Sequence, residues 1–223
     1  MTSPLTAKPA PIALLGGTFD PIHQGHIEPV LKLADTFGWS HVHLQPCFAP
    51  PHRPQPEASD QQRLAMVTLA CQQDSRLLAD DFELRQGKPT RTVHTLHHVR
   101  QQHPNASVCF IMGMDSFLQF TSWLNWQQIL DLAHLVVLPR PGYQLTQLPP
   151  DLAAELKLRQ RGDSESFSQG AGFIYLAETP TVDISATALR RQLAQSPDTS
   201  RIPLLDPAVL AYIRSHNLYQ STH

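Results

Sequence analysis

No run in the 223-residue chain approaches the ~18 apolar residues that span a bilayer, so a membrane-crossing class is excluded. The N-terminal MTSPLTAKPAP carries no apolar stretch of the kind a secretory signal needs. Cysteine is scarce: Cys47, Cys71 and Cys109, an odd set without C-x-x-C spacing. That pattern fits reduced thiols in a cytoplasmic protein and not a disulfide framework. A basic excess is missing too. Lys and Arg total 17 against 19 Asp and Glu, a net charge of −2, so no chain-wide field favours nucleic acid or an anionic membrane. Charged residues are 16% in all, below the ~25% of an average globular chain. No internal repeat, coiled coil or collagen-like period is present. Proline, by contrast, is plentiful at 20 residues, which predicts many pinned loops.

What remains is a chain in which short apolar runs alternate with helical patterns. Residues 1–11 are polar and aperiodic and read as a disordered lead-in to one domain spanning 12–220. IALLGG, 12–17, is an apolar run closed by glycines, as a buried parallel strand ends. Ile27, Val30, Leu31 and Ala34 then keep helical spacing up to Gly38. Pro29 places the start of that helix between Gln24 and Ile27, with the proline in the first turn. A strand at 41–45 leads into a loop, Pro46 to Pro56, that holds five prolines. A helix over 60–73, a short edge strand from Leu77 in LLADDFEL, and a helix from Thr92 to His103 follow. SVCFIMG, 107–113, is a strand, one or two helices fill 115–132, and HLVVLP, 134–139, is another strand. Residues 140–170 are mixed, with a Gly/Ser/Gln-rich patch at 162–172 read as a flexible loop. FIYLAE, 173–178, is a last strand, before helices at about 186–195 and 207–216. Strand–helix alternation of this kind predicts an α/β fold: a Rossmann-like, doubly wound, mainly parallel sheet with helices on both faces. Ligands of such sheets sit beyond the carboxyl ends of the strands, where strand order reverses.

Four segments carry chemistry. The first is GGTFDPIHQGH, Gly16 to His26, between a strand and a helix. Gly16 and Gly17 let backbone N–H groups approach a ligand, and the helix N-terminus aims its positive end at the same place. His23 and His26 can each donate to a phosphate, with Gly25 leaving room; an ordinary βα turn with Asp20 as cap is the plainer reading. The second is PPHRP, Pro50 to Pro54, where proline stiffening presents His52 and Arg53 at low entropic cost. The third is ISATALR, Ile184 to Arg190: Ser185 suits an N-cap, Thr187 falls in the first turn, and Arg190 projects from the same helix. The fourth is IMGMDSF, with Gly113 and Asp115 at the end of a central strand, where Asp115 can accept from ribose hydroxyls or cap a helix.

The first segment resembles the H-x-G-H signature of nucleotidyltransferases related to class I aminoacyl-tRNA synthetases, and its longer form resembles bacterial nicotinate-nucleotide adenylyltransferases. The resemblance runs from about Ile12 to Tyr219. It implies adenylyl transfer from ATP to nicotinate mononucleotide, giving deamido-NAD and pyrophosphate, with magnesium travelling on the polyphosphate. It also implies roles. His23, His26 and Arg190 would be catalytic. Gly16, Gly17, Thr18, Phe19, Arg53, Gly113, Asp115, Ile184, Ser185 and Thr187 would join those three in binding ATP. Thr18, His52, Arg53, Thr92, Trp123 and Leu124 would bind the mononucleotide, Trp123 by stacking on the pyridine ring and the N–H groups near Thr92 and Leu124 by holding its carboxylate. KPTRTVHTL and FTSWLNW depart from the family pattern, with Arg91 in place of a tyrosine and Leu124 in place of an aromatic residue.

Other readings compete. An adenylyltransferase of the amide mononucleotide or of phosphopantetheine would share the phosphate motifs, and a nucleotide-sensing module would share the fold. A synthetase-like RNA enzyme would need a KMSKS loop and a basic face, which are missing. His94, His97 and His98 have possible metal spacing, but no carboxylate or cysteine joins them, so they read as a solvated helix face with no metal site. His41 and His43 read the same way on their strand, and Cys47 has no nearby base to activate it.

Overall fold

The computed structural model describes residues 9–48, 55–168, 170–179, 182, 184–195 and 201–220. Six parallel strands form one sheet: β1 (Ile12–Gly17), β2 (Val42–Pro46), β3 (Leu77–Ala79), β4 (Val108–Gly113), β5 (His134–Leu138) and β6 (Ile174–Leu176), in the order β3-β2-β1-β4-β5-β6. Strand order reverses between β1 and β4, where Ala13 pairs with both Val42 and Cys109. The helices are α1 (Gln24–Phe37), α2 (Asp60–Cys71), α3 (Phe82–Arg85), α4 (Thr92–Gln102), α5 (Met114–Leu118), α6 (Trp126–Leu132), α7 (Pro150–Arg159), α8 (Ala186–Gln195) and α9 (Pro207–Ser215). Among the described residues no helix is long and apolar enough to cross a membrane.

The pleat sorts the central strands into two cores. Ala13, Leu15, Val42, Leu44, Ile111 and Val136 face α1, α2, α8 and α9. Leu14, Val108, Phe110, Leu135, Val137 and Ile174 face α4, α5, α6 and α7. Every residue of β5 is buried, which is why it reads as an unbroken apolar run and not as an alternation.

Three expectations need correction. Pro29 lies at the sixth position of α1, in the second turn and not the first. The burial of Pro29 with Ile27, Val30, Leu33 and Ala34 outweighs the one lost intrahelical bond. The edge strand from Leu77 is only three residues long, because the Asp80 carboxylate accepts from the Phe82 N–H at 2.9 Å and turns the chain into α3. Within 140–170 the segment PDLAAELKLR is a helix, α7, started by Pro150 and seated on Leu152 and Leu156. The α4 histidines, read as a solvated face, divide: His94 is exposed, while His98 stacks on Phe82 at 3.9 Å.

Gly38 closes α1 in the left-handed region at φ 64°, its N–H bonding the Ala34 carbonyl. A methyl group there would meet nothing within 4 Å, so the cost of Gly38→Ala is purely conformational. We expect a loss of about 1 kcal/mol, read as a lower urea midpoint at unchanged slope.

Candidate functional site

Beyond the carboxyl ends of β1 and β4 the diverging loops enclose a cleft of about 370 Å³. The turn after β1 supplies Gly16, Gly17, Thr18, Phe19, Asp20 and His26; the end of β4 and the start of α5 supply Gly113 and Asp115; α8 supplies Thr187 and Arg190; and Trp123 stands on the α5–α6 connection. The two motifs at opposite ends of the chain therefore line one cavity.

Each wall has a local cause. Gly17 carries no side chain because the Phe19 ring lies across it, 2.8 Å from where a Cβ would stand. Phe19 itself takes φ 52° and buries its ring edge-on to His26, centroids 5.1 Å apart. Gly25 leaves space for protein and not only for ligand: a Cβ there would meet the Ile184 methyl at 2.7 Å and the His23 ring at 3.0 Å. Ile184 thus packs behind the first motif without lining the cleft. Ser185 caps α8, its hydroxyl accepting from the Ala188 N–H at 3.1 Å.

His23 is the N-cap of α1, buried beneath the cleft floor, with the His26 ring tilted over it, centroids 3.9 Å apart. The His23 N–H donates to Nδ1 of His26 at 3.3 Å, and the buried Nδ1 of His23 has no partner among the described residues. The N–H of Gln24, the first residue of the helix, is taken by the Leu204 carbonyl at 2.8 Å, so that donor is not available to an anion. Burial, followed by the Arg140 charge, lowers the His23 pKa from 6.5 to about 4. Burial, then His23, then Arg140 push His26 well below its ordinary value. Both imidazoles are neutral near neutral pH and act as hydrogen-bonding groups, not as cations.

Arg190 and Arg140 carry the positive charge of the cleft. Arg190 donates through Nη1 to the Asp20 carbonyl at 2.8 Å and through Nε to Glu57 Oε1 at 2.6 Å. Asp20 does not cap α1. Its buried carboxylate instead accepts from the Glu57 N–H at 2.9 Å, the Ala58 N–H at 3.1 Å and the Tyr219 hydroxyl at 2.7 Å. Asp115 is not a cap either: Gly113 holds that position, and Asp115 Oδ1 lies 3.7 Å from Nε of Arg140. Sequence reasoning passed over Arg140. Its signal was a cation between Pro139 and Pro141 just past β5, the same proline-stiffened presentation noticed at Arg53.

Trp123 reaches the cleft edge-on to Phe120 and Phe110, at 5.6 and 6.2 Å. Thr92 starts α4 and Leu124 is 47% exposed; neither is among the residues that line the cavity. His52 and Arg53 lie outside the described residues. Among the described residues no three His, Cys, Asp or Glu gather in a way that could hold a metal.

The model of the cytidylyltransferase-like family matches residues 14–192. A probable nicotinate-nucleotide adenylyltransferase of Idiomarina loihiensis is 42% identical over 208 residues, covering 93% of this chain and 98% of the relative. One from Aeromonas hydrophila is 44% identical over 215 residues, covering 94% and 97%. Among solved structures, the nicotinic acid mononucleotide adenylyltransferase of Plasmodium falciparum, complexed with NaAD, superposes with a TM-score of 0.71 over 95% of this chain and 98% of its own, at 19% identity. At that identity the likeness speaks for the fold alone.

The histidine shift sets a pH dependence of stability. Between 6.5 and about 4 the unfolded chain binds a proton at residue 23 that the folded chain refuses, so stability falls as pH drops through that window. For His23 the loss is about 3 kcal/mol, at ~1.4 kcal/mol per unit. Urea unfolding across the window is expected to show this slope, and His23→Asn to lessen it, leaving the part that His26 contributes.

Proposed function

The chain belongs to the cytidylyltransferase-like family, grouped with the nicotinate-nucleotide adenylyltransferases, and on that premise we propose that it joins ATP to nicotinate mononucleotide, releasing pyrophosphate and forming nicotinate adenine dinucleotide. The observation that carries this reading is the meeting of the Gly16–His26 turn and the Ser185–Arg190 helix start in one cleft, with the Trp123 indole at its edge.

In the proposed reaction the phosphate oxygen of the mononucleotide attacks the α-phosphorus of ATP in line, and the bond to the pyrophosphate bridging oxygen breaks. Substrate supplies both nucleophile and leaving group, so the protein needs only to align them and stabilise charge. Neutral His26, its Nδ1 taken by the His23 N–H so that Nε2 carries the proton, donates to a phosphate oxygen with the buried His23 ring behind it, and the open backbone at Gly16 lets the α-phosphate come close. Arg190 takes charge developing on the departing pyrophosphate. For it to do so, the exposed Glu57 contact gives way to phosphate oxygens, an exchange of one anion for a more highly charged one. Magnesium enters as part of the nucleotide substrate, held by phosphates and water. Asp115 offers a carboxylate to ribose hydroxyls. Gly17, Thr18, Phe19, Gly113 and Thr187 line the ATP half of the cleft, with Ile184 packed behind it and Ser185 capping α8. Trp123 stacks on the pyridine ring; the parts expected of Thr92, Leu124, His52 and Arg53 rest on the family resemblance, the first two standing off the cavity lining and the last two outside the described residues.

Two measurements test this. His26→Ala is expected to lower turnover about a hundredfold or more with an unchanged far-ultraviolet circular dichroism spectrum; near-normal turnover would remove His26 from the reacting set. The acid mononucleotide is expected to exceed the amide in kcat/KM by about tenfold or more, because a carboxylate pocket gains a charge-assisted hydrogen bond from the acid alone. Equal values would overturn the pyridine-carboxylate assignment.

A further inference from the structure

The last described residues of the chain fold back onto the turn after β1. Tyr219 is buried with its backbone at φ 59°, a left-handed conformation that costs a bulky residue free energy and persists only where surrounding contacts hold it. Its hydroxyl donates to Asp20 Oδ1 at 2.7 Å, a buried bond across 199 positions of sequence. The other bonds of Asp20 explain what this contact secures. Its carboxylate accepts the Glu57 and Ala58 N–H groups, its carbonyl accepts Nη1 of Arg190 at 2.8 Å, and Glu57 Oε1 accepts Nε of the same arginine at 2.6 Å. Arg190 is thus seated by the Asp20 carbonyl and the Glu57 side chain, and the Asp20 carboxylate, its Oδ2 also 3.8 Å from Nη1, fixes the position of both. Tyr219 does not line the cleft.

We propose that Tyr219 is a positioning residue: acting through Asp20, it holds Arg190 at the end of the cleft that receives the triphosphate. The proposal rests on the reading of the cleft as an ATP site. Burial and the Asp20 charge hold the phenol well above its ordinary pKa, so it stays protonated and donating wherever the protein is folded. Without the hydroxyl, Asp20 keeps the Glu57 N–H on Oδ2 at 2.9 Å and the Ala58 N–H on Oδ1 at 3.1 Å but loses its shortest bond, which loosens the angle at which the carboxylate holds residues 57–58 beside Arg190.

Tyr219→Phe keeps the buried ring and deletes the donor. The expected result is a KM for ATP raised about fivefold to tenfold, the scale of one ordinary intramolecular hydrogen bond, with the KM for nicotinate mononucleotide within about twofold of wild type. A purely structural role would lower Tm without separating the two KM values. In an Arg190→Ala background the same substitution is expected to leave kcat/KM for ATP unchanged, since the group through which it acts is gone. Two results would overturn the proposal: both KM values unmoved by Tyr219→Phe, or an equal loss in the two backgrounds. Should the wild-type protein form no dinucleotide, the functional reading falls separately, and the four proteins are compared by calorimetric Kd for ATP. Weaker binding by Tyr219→Phe in the wild-type background alone then upholds the positioning role, and equal affinity rejects it.

Discussion

A strand that ends at a reversal of sheet order leaves its exit loop without a neighbour on one side, and something other than the β-ladder must hold that loop. Here a single buried guanidinium does so. Arg63 of α2, with no exposed surface, donates to the Thr18 carbonyl and the Cys47 carbonyl at 2.7 Å each and to Asp60 Oδ1 at 2.5 Å. The Cys47 N–H meanwhile bonds the Gly17 carbonyl at 2.8 Å. The exits of β1 and β2 are therefore stapled to each other and to α2. A buried cation is costly unless its charge is matched; a carboxylate and two carbonyls in fork geometry match this one. The positions of Thr18, Phe19 and Asp20, and through Asp20 that of Arg190, all descend from this fastening.

The parts of the molecule that could be read from sequence are those in which a residue acts on its near neighbours. Gly38 ends α1 because a left-handed cap needs glycine; Ser185 starts α8 because its hydroxyl reaches an N–H three residues on; β4 and β5 are continuous apolar runs because both their faces are covered. The misread elements are those decided by tertiary contact. The weak period of PDLAAELKLR gains a helix through Leu152 and Leu156 against the second core. Pro29 survives in the second turn of α1 because that face is buried.

The candidate site divides along the same line. The motif residues were legible as a set because a phosphate site needs glycines, donors and a cation at fixed local offsets. The network that holds them was not. Arg63 reaches carbonyls 45 and 16 positions away, and Tyr219 reaches Asp20 across 199. Carbonyl acceptors carry no residue identity, so no spacing rule announces such bonds. Asp20 shows the difference well. By its local offset it reads as a helix cap, yet its partners lie 37, 38 and 199 positions along the chain.

The electrostatics of the cleft follow from mixing neutral and charged donors. An imidazolium at residue 23 or 26 would be desolvated and repelled by Arg140, which is why both rings stay neutral. Neutral rings impose no repulsion on Arg140 and Arg190, whose guanidinium groups rest against the partly exposed Asp115 and Glu57. Exposed ion pairs of this kind are worth about 0–1 kcal/mol, so a polyphosphate can take them over at little cost. Negative charge beside the histidines opposes the lowering that burial and Arg140 impose, while the neutral rings already donate hydrogen bonds without it.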